Sequence, residues 1–261
     1  MTTARIRPEV SNILVPDSRL AWEWTRFEMA SWLREPAAVV LNMAYPLIML
    51  GFFLVSTDIR TDSAAAISLL GYLSLVGVLM VCLNFPANGI PEARESDFYA
   101  FSRTLPIGAA PRLIAWTAAP IACGLISAAS TFIIATLVSA AEPSVMDFAI
   151  IIGVSLVLAV PITLLGLALG FILPKKTSLA VSLTIAFSMI LFGGISGIPL
   201  PSIVETISHA LPSGAAGHII ASHLNARDFD SRNIVVLIAW TVIGILAVFL
   251  LYRRDEGRRF R

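Results

Sequence analysis

The residues able to do chemistry are few and clustered. Glu92, Arg94, Glu95, Asp97 and Arg103 place five charges within a dozen residues, in a chain that is only 13% charged. Such a cluster implies contact with water or with a charged partner; a solvated turn is the plainer alternative. Gly194-Ile195-Ser196-Gly197 is a G-x-S-G string, which raises an intramembrane serine protease with Ser196 as nucleophile. That chemistry needs a base within hydrogen-bond reach, and His209, His218 and His223 all follow in one loop, outside any apolar span. His218 and His223 are five apart, which misses the spacing that puts two metal ligands on one helix face, so no metal site is expected. The only two lysines, Lys175 and Lys176, do not follow a G-x-x-x-x-G phosphate loop. No ATPase site is therefore expected in this chain, and ATP could drive it only through a second polypeptide.

The elements that hold these residues are set by a hydrophobic content of 57% and a mean hydropathy of +0.85. A bilayer core about 30 Å thick needs roughly 20 apolar residues per helix. Six segments approach that length without a charged residue: Ala37–Val55, Ala64–Leu83, Leu113–Ala140, Phe148–Leu173, Leu179–Ile195 and Ile234–Tyr252. The expected fold is an all-α membrane protein with six transmembrane helices over 37–252. Pro46, Pro120 and Pro161 fall inside spans, where neighbouring helices can satisfy the freed carbonyls. Met1 to Ser18 lacks the apolar core of a signal peptide. With the N-terminus inside, 15 of the 18 basic residues lie on the cytoplasmic side, which predicts both termini inside. Net charge is only +1, so no affinity for nucleic acid follows. Ion-coupled carriers place ionisable groups inside spans; these spans offer only Asn42, Asn84, Ser188 and other small polar residues as path candidates, and they show no inverted repeat. Cys82 and Cys123 read as apolar packers rather than a disulfide.

Four stretches lie outside the spans. Residues 1–36 comprise a cytoplasmic N-terminus and an interfacial helix over Ser18–Arg34. In that helix Leu20, Trp24, Phe27 and Ser31 share one face, with Trp22, Met29 and Leu33 opposite. A cytoplasmic elbow over about 85–112 holds the charge cluster, and span two is expected to continue past the bilayer into it. An outer loop over about 196–232 carries Pro199, Pro201 and Pro212, and its pattern predicts two short helices joined as a re-entrant hairpin. The tail over 253–261 is arginine-rich, which suits attraction to anionic lipid.

In order along the chain, these features resemble the permease subunits of type-2 ATP-binding-cassette (ABC) transporters, the drug- and polysaccharide-export group. The resemblance rests on six spans, a connecting helix ending in Arg34-Glu35-Pro36, and a Glu92/Arg94/Glu95 elbow followed by Leu105-Pro106-Ile107. It also rests on Ser196-Gly197-Ile198-Pro199-Leu200-Pro201 with Leu211-Pro212 beyond. Ser96-Asp97 stands where the family often has glycine. The resemblance implies a pair of permeases, identical or related, and two ATPase subunits that bind ATP and magnesium beneath them. It further implies coupling through Glu92, Arg94, Glu95, Asp97, Arg103 and a connecting helix bearing Trp24, Phe27 and Arg34. The path would be lined mainly by spans one, two and five, for export of an amphipathic or lipophilic substrate. Sixteen arginines against two lysines associate with a GC-rich bacterial genome, hence a bacterial cytoplasmic membrane. A membrane scaffold that moves nothing is the non-transport alternative. Gly166/Gly170 and Gly193/Gly197 have G-x-x-x-G spacing, expected to serve packing within the bundle more than a dimer seam.

Overall fold

The computed structural model describes residues 16–56, 60–96, 109–194, 202–224 and 229–257. Every regular element among them is helical. In chain order they are α1 (Asp17–Leu33), α2 (Pro36–Met43), α3 (Tyr45–Ser56), α4 (Ser63–Glu95) and α5 (Ala109–Val138). There follow α6 (Val145–Ile172), α7 (Lys175–Phe192), α8 (Ser202–Ser208), α9 (Pro212–Leu224) and α10 (Arg232–Gly257). Five of them, α4, α5, α6, α7 and α10, are long and apolar enough to cross a membrane.

Local chemistry sets the ends. The Asp62 carboxylate accepts from the Ala64 and Ala65 N–H groups to start α4. Ser144 and Asp147 close a reciprocal capping box at α6. Pro36 opens α2 from an extended Glu35, as the residue before proline prefers. Gly194 takes a left-handed φ of 70° just past α7, a conformation glycine adopts without penalty.

The expected first span is not one helix. Ala37–Val55 divides at Ala44 into α2 and α3. Pro46 has no N–H to donate to the Asn42 carbonyl, and its ring crowds that turn. The last helix differs in the other direction: α10 runs on to Gly257, past the expected boundary at Tyr252.

α4 is the axis of the bundle. Its most apolar stretch is 83% buried, against 17% for α10, which lies at the periphery. With 33 residues it is about 50 Å long at a rise of about 1.5 Å per residue, longer than a bilayer core. Pro86 and Pro91 sit inside it and leave the Cys82 and Ala87 carbonyls without their usual helical donors. Against this stretch α6 presents Gly166 and Gly170. A Cβ on Gly166 would stand 2.6 Å from the Leu83 oxygen and 2.7 Å from Pro86 Cγ, so only glycine permits the approach. The G-x-x-x-G spacing thus serves packing inside one bundle. Cys82 and Cys123 are free and buried, and the Cys82 thiol lies 3.3 Å from the Pro120 carbonyl as donor.

At the far end of α4, the hairpin expected between 196 and 232 is present as α8 and α9. The first six residues of α9, Pro212 to Gly217, are buried in the bundle. Ser213 donates to the Met189 carbonyl at 2.9 Å, and Trp240 Nε1 donates to the Ala210 carbonyl at 2.9 Å. Gly193 meets Ser213 too closely to admit a side chain.

Candidate functional site

At the opposite end of the bundle, α1 packs on the start of α5 and reaches α4 through Trp32, near the last turns of α4 and the start of α7. A cavity of about 790 Å³ opens between them. The burial pattern of α1 explains its position: Ala21, Thr25 and Trp32 are buried, with Glu28 between them on the same stripe. Trp24 and Phe27, expected on one face, both border the cavity. Trp32 stacks on Phe85 of α4, with centroids 5.3 Å apart.

Three polar groupings surround this space. In the first, Trp116 Nε1 donates to Glu28 Oε1 at 3.2 Å. The buried Arg112 guanidinium lies 5.1 Å from the Trp24 ring centre and 6.0 Å from that of Trp116. This group fastens α1 to α5. Burial pushes the Glu28 carboxyl above the ordinary glutamate range, outweighing the Trp116 hydrogen bond and the nearby Arg112 charge. In the second, the Glu92 carboxylate meets Lys175 Nζ at 3.0 Å and ties the end of α4 to the start of α7. The third lies deeper. Ser182 donates to Asn84 Oδ1 at 2.7 Å, and Asn88 Nδ2 donates to the Asn84 carbonyl at 2.8 Å. Asn42, Asn84 and Asn88 all line the cavity.

Arg94 points elsewhere. Its guanidinium donates to the carbonyls of Gly170 at 2.7 Å, Leu173 at 3.0 Å and Phe171 at 3.3 Å. It therefore caps the C-terminal end of α6, where the carbonyls lack helical donors and the helix dipole favours a cation. Asp255 of α10 stands 3.8 Å away. One side chain thus ties together the ends of α4, α6 and α10.

Glu95 is exposed on the last residue of α4, and Arg34 is exposed at the end of α1. Ser188 does not line the cavity; its hydroxyl donates back to the Thr184 carbonyl at 2.8 Å. Pro212 is buried as the first residue of α9. Asp97, Arg103, Ser196, Pro199 and Pro201 lie outside the described residues.

At the hairpin end His223 Nε2 meets Asp147 Oδ1 at 2.9 Å. Ser208 Oγ lies 3.1 Å from His218 Nε2, and the His218 ring stacks on His209. Ser208 Oγ also lies 2.9 Å from the Glu205 carbonyl, three residues back in α8, a local bond at the end of that helix. Among the described residues no group of three or more His, Cys, Asp or Glu side chains could hold a metal.

Sequence reasoning missed Glu28, Asn88, Arg112, Trp116 and Lys175 as site residues. Two signals pointed to part of the set. Glu28 interrupts the Ala21–Thr25–Trp32 stripe with a carboxylate, and Asn84 and Asn88 are four apart on one face of an otherwise apolar span. In comparisons with known proteins, no family and no curated protein matches this sequence.

Proposed function

We propose that this chain is the permease subunit of an ABC transporter that exports an amphipathic or lipophilic substrate. A separate ATPase, docking at the α1 end, would bind ATP and magnesium and supply the work. The observation that carries this reading is the cavity, bordered by Asn42 of the first apolar segment, by α4 and by α7. Those are the first, second and fifth segments, which the family resemblance assigns to the path. The cavity lies at the end where the positive-inside count places the cytoplasm, and where α4 ends at Glu95.

In this reading six spans cross the membrane, the first of them broken at Ala44, and two permeases pair to enclose the path. A force applied at Glu95 acts on α4, the most buried helix. Arg94 passes it to the ends of α6 and α10, and Glu92 passes it to α7 through Lys175. The Glu28–Trp116–Arg112 group joins α1 to α5, so the connecting helix moves with its neighbours.

Affinity purification of the tagged chain from its native membrane tests the class directly. A stoichiometric ATPase in the eluate is the expected result; recovery as a stable chain alone would sink the transporter reading and favour a scaffold. Glu95→Lys then tests coupling, since Glu95 is exposed and a charge change there leaves the Arg94 cap intact. Substrate-stimulated ATP turnover should fall severalfold with folding preserved. Unchanged stimulation would remove Glu95 from the coupling surface.

A further inference from the structure

We propose that the cavity under α1 binds an amphipathic organic cation, with aromatic walls around its apolar body and Glu35 facing its charge. The proposal rests on the permease reading above and names the class of cargo that this site would load.

Three features of the walls carry it. The volume, about 790 Å³, is that of a site for a drug-sized molecule. Trp24, Phe27, Trp32, Phe85 and Trp116 contribute five aromatic rings that pack apolar groups. Arg112 already lies over Trp24 and Trp116, and Trp32 stacks on Phe85, so the rings hold the guest's body and the carboxylates face its charge. Four carboxylates, Glu23, Glu28, Glu35 and Glu92, stand against two cations, Arg112 and Lys175.

The pairing of these charges decides which sign is left over. Lys175 is held by Glu92 at 3.0 Å. Arg112 is buried against Trp24 and Trp116, and its charge is felt by Glu28. Neither lining cation is therefore offered to an anion. Among the described residues Glu23 pairs only with the exposed Arg26, at 3.8 Å. Glu35 makes no side-chain hydrogen bond or ion pair among the described residues, and its carboxylate does not cap α2. Lys175 feels its charge, but less than that of Glu92, which holds the ammonium directly. A negative rim over aromatic walls disfavours an anion of the same shape. At the deep end the Asn88 Oδ1, buried and without a hydrogen-bond partner among the described residues, can accept from a polar substituent of the guest.

Tetraphenylphosphonium and tetraphenylborate are matched in size and shape and opposite in charge, which makes them suitable probes. Each is titrated against the purified full chain in nanodiscs, with tryptophan fluorescence as the readout, because three of the five tryptophans line the cavity. Saturable quenching by the phosphonium is expected, at least about tenfold tighter than by the borate. Glu35→Gln should weaken the phosphonium about fivefold, the scale of one partly screened charge at close range, and should not weaken the borate. Changing Trp24, Trp32 and Trp116 together to Phe should remove most of the saturable signal. Equal affinity for the two ions, no saturation, a preference that Glu35→Gln leaves intact, or a signal that survives loss of all three tryptophans overturns the proposal. A chain that recruits an ATPase but shows no phosphonium preference would keep the transporter reading and lose only the cargo class. One that binds the phosphonium but recruits no ATPase would do the reverse.

Discussion

Glu28 is a carboxylate whose ionisation is opposed by burial, and that makes it readable through pH. Its proton is held more tightly in the folded chain than in the unfolded one. The stability it contributes is thus complete below the ordinary glutamate range and is lost as pH rises through its raised folded value. Glu28→Gln keeps an oxygen for Trp116 Nε1 and cannot ionise. The melting temperature of the native chain should fall over that interval, and the variant should fall less. Parallel melting profiles would show that Glu28 does not titrate there. Arg94 presents the opposite case, a charge held by three carbonyls at a helix end. Arg94→Ala leaves those carbonyls without their donor and should cost about 2–3 kcal/mol, seen as a lowered thermal midpoint. Arg94→Lys should recover only part of this, since a point-charge ammonium cannot span three acceptors as a planar guanidinium does.

At the scale of helices, the two glycines on α6 make a sharp pair with a third. A methyl group on Gly166 would collide with the Leu83 oxygen and Pro86, whereas nothing lies within 4 Å of the position a Gly153 methyl would take. Gly166→Ala should therefore destabilise by about 2–3 kcal/mol or more through overpacking. Gly153→Ala should be neutral or stabilise by up to about 1 kcal/mol through helix propensity. Thermal unfolding of both variants checks the contrast, and similar costs would deny the close α4–α6 crossing. The same helices show where sequence alone is informative. Hydropathy located the long spans because apolar length is a local property, and the Gly166/Gly170 spacing signalled a close approach. It could not name Pro86 as the neighbour, since that contact joins residues some 80 positions apart. Pro46 was visible inside an apolar run, but hydropathy does not register a missing backbone donor, so the α2–α3 break was not. For the site, charge density singled out Glu92 and Arg94. It did not separate a residue facing the cavity from one turned inward to cap α6, because that depends on where the end of α6 lies.

For the molecule as a whole, the consequential question is which end of the bundle faces the cytoplasm. The cavity, α1 and the Arg94 tie share one end; the α8–α9 hairpin, Asp62 and Asp147 share the other. The alternation of α4, α5, α6, α7 and α10 puts Ser96 and Arg254 at the first end and Glu142 and Asp230 at the second, all four exposed. The chain has a convenient property for testing this. Both native cysteines are buried within the bundle, so a membrane-impermeant maleimide should find little background. Single cysteines at Glu142 and Asp230 are expected to label on intact cells, while those at Ser96 and Arg254 should label only after permeabilisation. The reverse pattern would turn the cavity outward and remove any route for a cytoplasmic ATPase to act on α4. Labelling of all four from one side would contradict the alternation of the five long helices as spans. The expected pattern follows from two independent physical terms, the retention of arginine on the cytoplasmic side and the alternating run of the helices. Agreement between them would place the negative, aromatic cavity on the side from which an exporter takes its cargo.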